Sequence, residues 1–112
     1  MAKKMTQVRA VEIAWKVCNH LGCRRPFVQF RSRGCSATGR PGSITVGPAS
    51  SVDTVLHEVA HHLSTGAHGE SFYQALLRVV AAAEKTFGHE YNWLREYASI
   101  RRRRIIGIPL KK

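Results

Sequence analysis

Residues 57 to 62 read His-Glu-Val-Ala-His-His, inside a stretch from Ser50 to Ser64 whose apolar residues recur at helical spacing. No other feature constrains the chain as strongly. At about 100° per residue, His57 and His61 fall about 40° apart and one turn along a helix, so both imidazoles can reach one ion. Val52, Val55, Leu56, Val59, Ala60 and Leu63 centre on the opposite side. The helix is therefore expected to anchor one face in a core and present metal ligands with the other. Glu58 lies about 100° round from His57, bordering the ion, where a base acting on metal-bound water belongs. His62 points away from the ligand line and is expected outside the ligand set, behind it, on the surface or against substrate.

A catalytic zinc site takes three protein ligands and keeps one position for water. His68 is the leading third ligand because Gly66 lets the chain turn back after the helix; Glu70, His89 and Glu90 are rivals. A separate structural zinc on Cys18, Cys23 and Cys35, with His20, lacks the close cysteine pairs of zinc knuckles. The odd cysteine count also argues against a closed disulfide framework and suits a reducing compartment.

The rest of the pattern gives an α+β fold. Val8, Val11, Ala14, Trp15, Cys18 and Leu21 predict the buried face of a helix from about 6 to 21, stopped by Gly22. Pro26 to Arg33 and Gly42 to Gly47 read as two strands in a small antiparallel sheet, with Gly34 to Gly42 as a loop. Ser50 and Asp53 form a capping-box variant before the metal helix, and Gly66 ends it. Phe72, Leu76, Val79, Val80, Ala83 and Phe87 predict another helix, with Gly88 just past its end, and Tyr91 to Ile100 a last short one. With 112 residues the chain holds one core, expected over residues 1–100, followed by a basic tail over 101–112. No apolar run approaches the roughly 20 residues of a membrane span, and a cytoplasmic protein is expected.

Eighteen Lys plus Arg against seven Asp plus Glu give a formal charge of +11, which favours polyanionic partners. Arg24, Arg25, Arg31, Arg33 and Arg40 cluster in one segment; Arg101, Arg102, Arg103 and Arg104, with Lys111 and Lys112, form another. The terminal arginines are the expected DNA or RNA contact.

His57-Glu58-Val59-Ala60-His61-His62-Leu63 followed by His68-Gly69-Glu70-Ser71-Phe72 is an H-E-x-x-H helix and an H-G-x-x-F segment. On these residues the chain resembles small zincin metallopeptidases, in particular SprT-like (Spartan-type) proteins and short metallohydrolases of actinobacteria and their phages. The resemblance covers residues 50 to 76 well and the order of elements more loosely. It implies a minimal zincin-like domain in which His57, His61 and His68 hold one zinc ion and Glu58 is the catalytic base. The interval from His61 to His68 misses the metzincin pattern by one residue, and no Met-turn follows. Because these 112 residues show no counterpart of the additional zinc- and partner-binding segments of larger Spartan-type proteins, the resemblance is not expected to carry over their DNA-coupled regulation whole.

The expected activity is peptide-bond hydrolysis, with nucleic-acid-associated proteins as a substrate class. Ser43, Ile44, Thr45 and Val46 are expected to take an extended peptide at a sheet edge. The oxyanion donor stays open among Tyr73, Tyr91, His62 and Arg40. One alternative is a three-histidine zinc nucleic-acid hydrolase like the YbeY-like ribonucleases, whose helix motif has glycine where this chain has Glu58. The other is a metal-stabilised nucleic-acid-binding module without catalysis.

Overall fold

Two capping residues delimit the first helix, α1 (Gln7–Leu21): the Thr6 hydroxyl accepts the Arg9 N–H at 3.1 Å, and Gly22 turns left-handed at φ 69°. The computed structural model describes residues 4–32, 37–64, 68–105 and 107–108. Along α1 the buried residues are Ala10, Ile13, Ala14, Val17 and Cys18, whereas Val8 is 71% exposed and Trp15 38%. The buried face is thus rotated from the predicted one and shares only Ala14 and Cys18 with its fully buried set. Two apolar series run along this helix, and the one containing Ala10 and Ala14 lets α1 lie close against its neighbours. The larger Trp15 stays at the rim, its indole N–H donating to the Pro26 carbonyl at 3.2 Å and its ring under the Arg25 guanidinium.

Among the described residues the sheet has three strands, β1 (Phe27–Phe30), β2 (Thr38–Arg40) and β3 (Ser43–Val46), in the order β1-β3-β2. β1 runs parallel to β3, and β2 antiparallel to it. The predicted strands therefore exist, but they are parallel partners, and part of the predicted loop is the third strand. β2 is only three residues long with glycine at its centre, so it carries no alternating apolar signature. Pro41 and Gly42 (φ 95°) make the tight β2–β3 turn, an order of residues suited to a type II turn. That turn hands the antiparallel place to β2 and leaves β1 the other side of β3. Val28, Ile44 and Val46 point inward onto the helices.

Ser51, rather than Ser50, caps α2 (Val52–His62) by accepting the Thr54 N–H at 3.1 Å, while the Ser50 hydroxyl accepts the Gly47 N–H. The helix ends at His62; Gly66, the predicted stop, lies outside the described residues. α3 (Glu70–Phe87) ends as predicted, on Gly88 at φ 68°. Val55, Leu56, Val59, Phe72, Leu76 and Val79 are fully buried where α1, α2 and α3 pack together, with the sheet laid across α1 and α2.

Beyond α3, the predicted short helix is a 3-10 turn (Trp93–Glu96) running into α4 (Tyr97–Arg102). A boundary after residue 100 would cut α4. Arg101 and Arg102 complete that helix, and Ile105 and Ile108 pack back against the core. Lys111, Lys112, Arg33 and Cys35 lie outside the described residues.

Candidate metal centre

α2 delivers His57 and His61 from the same face, as its period requires. The chain returns at the start of α3 to bring His68 against both. His57 Nε2 lies 3.1 Å from His68 Nε2, and His61 Nε2 lies 3.0 Å from it. These three histidines lie close enough to hold one metal ion. The donor chemistry fits. An imidazole nitrogen without a proton carries a lone pair, and a cation among such lone pairs replaces repulsion by coordination. Tetrahedral zinc with Zn–N of about 2.0–2.1 Å would set its nitrogens roughly 3.3–3.4 Å apart, a few tenths of an ångström wider than the separations here. Glu70 is exposed at the first residue of α3, Glu90 is exposed, and His89 is turned to Asp53. None of the three rivals joins the cluster.

Glu96 is the residue that sequence reasoning missed. It is buried, and its Oε2 accepts from His57 Nδ1 at 2.8 Å and from the Tyr91 hydroxyl at 2.5 Å. Donation from Nδ1 leaves the lone pair of His57 on Nε2, facing the cluster. Burial raises the Glu96 carboxyl, but the hydrogen bonds from His57 and Tyr91 and the charges of His57 and Arg95 outweigh it and hold the group below the ordinary carboxylate range. The one sequence signal for Glu96 is its place one turn before the buried Ile100. Thirty-nine positions separate it from His57, so no local motif joins the two.

Phe72 forms the apolar floor. Its ring centroid lies 4.8 Å from His57, 4.3 Å from His61 and 4.8 Å from His68. Glu58, on the adjoining side of α2, is 94% removed from solvent. Burial pushes its carboxyl up, the charges of His57 and Arg95 pull it down, and Glu96 pushes it up again. β2 lies directly over this carboxylate: a Cβ on Gly39 would sit 2.6 Å from the Glu58 carbonyl oxygen, 2.9 Å from Glu58 Oε1 and 3.0 Å from His61 Cβ. Glycine is what lets the strand approach the metal helix this closely.

His62 is a clamp and belongs to neither ligands nor solvent. Its Nδ1 accepts the Gly42 N–H at 2.8 Å and its Nε2 donates to the Arg24 carbonyl at 2.6 Å, fixing the end of α2 to the β2–β3 turn and to the approach to β1. Those partners assign the neutral ring with its proton on Nε2.

Two expectations about substrate need correction. Ser43, Ile44, Thr45 and Val46 form the central strand, whose ladder bonds are taken by β1 on one side and β2 on the other. Its edge is closed to a peptide; the outer edge next to α2 belongs to β2. Of the four oxyanion candidates, Tyr73 is fully buried, its hydroxyl turned toward Ser99 outside hydrogen-bond geometry. The Tyr91 hydroxyl is spent on Glu96, and both His62 nitrogens are spent on backbone. Arg40 is exposed but alternates with Gly39, so it leaves the opposite face of the sheet.

Arg101, Arg102, Arg103 and Arg104 are all exposed. Arg103 is near enough for its charge to act on His68, which is held below the ordinary histidine range first by burial, then by His57 and Arg103, against an opposing pull from Glu96. Among the described residues no helix is long and apolar enough to cross a membrane. Comparison with family models, with curated proteins and with solved structures gives no match, so the resemblance to SprT-like proteins rests on the residues that carry it.

Proposed function

We propose that this chain is a zinc-dependent, SprT-like metallopeptidase of the cytoplasm, with Glu58 as its base. The observation that carries this reading is the meeting of the Nε2 atoms of His57, His61 and His68 beside a glutamate on the same helix.

When bound, zinc supplies a Lewis acid that polarises a scissile carbonyl and acidifies water. The chain's own groups do the rest. Glu58 takes the proton of the attacking water and returns it to the leaving amine. Glu96 holds the His57 ring in the tautomer and orientation that ligation needs. Phe72 keeps water from beneath the imidazoles. An extended substrate pairing with the outer edge of β2 would run alongside the metal helix, with main-chain hydrogen bonds supplying grip. In this reading Arg101 to Arg104 make phosphate contacts that bring the enzyme to proteins on DNA or RNA.

One observation favours a second reading. The four consecutive exposed arginines, Arg101 to Arg104, suit an anionic substrate, as in a three-histidine zinc nucleic-acid hydrolase of the YbeY-like kind. Glu58→Gln separates the two. On the peptidase reading it lowers cleavage of a protein substrate by roughly 10²–10⁴-fold while metal content stays at one per chain. Unchanged hydrolysis, or wild-type protein that cuts RNA and no protein, overturns that reading. A metal-stabilised binding module without catalysis would cut neither.

A further inference from the structure

The face of the sheet turned away from the metal helix has a composition that the peptidase reading does not use. The registers place two rows of side chains on it: Phe27, Ser43 and Arg40 across one level, and Gln29, Thr45 and Thr38 across the next. Phe27 is 69% exposed, although it begins a strand and is large enough to fill a core site. Gln29, Thr38 and Arg40 are exposed and Ser43 and Thr45 half-buried. Gln29, Thr38, Arg40, Ser43 and Thr45, with Gly39, line a shallow depression of about 240 Å³.

Charge decides what suits this face. Between Glu12 and Asp53 the chain has no acidic residue, so the whole sheet layer is cationic or neutral. Arg24 Nη2 lies beside Gly42, in the turn that leads from Arg40 to Ser43, and the Arg25 guanidinium stacks on Trp15 just before β1. An aromatic ring at one edge, a guanidinium at the other and short hydrogen-bonding side chains between them match what single strands require: a stacking surface, a phosphate contact and polar groups for base edges. With strands about 4.8 Å apart, Phe27 and Arg40 stand roughly 10 Å from one another, a span of one to two nucleotides. A duplex keeps its bases stacked inside and offers Phe27 nothing to stack on.

We propose that the outer face of the sheet, through Phe27 and Arg40, is a docking site for single-stranded nucleic acid, separate from the terminal arginines. Because Gly39 faces Glu58 and His61 while Thr38 and Arg40 face outward, a strand bound here is separated from the metal centre by the thickness of the sheet. It tethers the protein and is not positioned for cleavage.

The test is fluorescence anisotropy of a labelled single-stranded oligonucleotide with the full chain, repeated over a range of salt. Phe27→Ala is expected to weaken binding about 5- to 150-fold, the effect of losing one stacked base, with the salt slope unchanged. Arg40→Gln is expected to weaken binding and flatten the logarithmic salt slope by about 0.7, the loss of one phosphate contact on a single strand. Circular dichroism and metal content report whether each variant remains folded, and Phe27→Trp gives a second readout, quenching of the introduced indole by the strand. The proposal is overturned if folded Phe27→Ala and Arg40→Gln bind like the parent, if only replacement of Arg101 to Arg104 weakens binding, or if duplex DNA or an acidic peptide binds as tightly as the single strand. None of these outcomes depends on Glu58 or on hydrolysis.

Discussion

His61 and His62 are consecutive in sequence, yet they belong to two different kinds of site. His61 turns its Nε2 toward the Nε2 of His68, 3.0 Å away. His62 has both nitrogens committed to the backbone, at Gly42 and Arg24. His89 gives a third case, with its Nε2 2.6 Å from Asp53 Oδ1, tying the start of α2 to the segment after α3. A run of histidines therefore says little until each nitrogen is assigned a partner. Nitrogens that converge on one point can hold a cation, and nitrogens that face amides and carbonyls hold the chain together.

The largest effect expected from breaking this contrast is on His61. His61→Ala removes one of three ligands, and metal content measured by elemental analysis should fall from one per chain to near zero, with hydrolysis. Glu96→Gln comes next: the ligands stay, but His57 loses its carboxylate partner. Competition with a chromophoric chelator should show metal affinity lower by about 10- to 100-fold. His62→Ala should do the opposite of His61→Ala, leaving the metal in place while lowering stability by about 1–3 kcal/mol in denaturant unfolding, because the Gly42 N–H and the Arg24 carbonyl lose their partner. Loss of metal without loss of stability in that variant would mean the two histidines had been assigned the wrong way round. The smallest effect is expected for His89→Ala, about 1 kcal/mol or less, since its pair with Asp53 is partly open to solvent.

How much of this was legible in the sequence follows the range of the interactions. The ligand pair, the place of Glu58 and the caps Gly22 and Gly88 are set by neighbours within a turn or two, and local period displays them. His68 could be named as the leading candidate because it follows the metal helix so closely. The sheet was harder. β2 is short and centred on Gly39, whose importance lies in a contact with α2 that no local pattern records. Once β2 is overlooked, β1 and β3 look like a hairpin, and β3 wrongly acquires a free edge. Along α1 two apolar series compete, and only the neighbouring elements decide that Ala10, Ile13, Ala14, Val17 and Cys18 face inward. Glu96 was invisible for the same reason as Gly39: its partner, His57, is distant in sequence and near in space.

One divalent ion held among three imidazoles is the arrangement on which the proposed function rests. X-ray absorption at the zinc edge of the purified chain tests it most directly. The expected result is a first shell of nitrogen and oxygen scatterers alone, at about 2.0–2.1 Å, including three imidazoles. A sulfur scatterer near 2.3 Å would place the metal on cysteine, and either that result or a chain that binds no zinc would contradict the account.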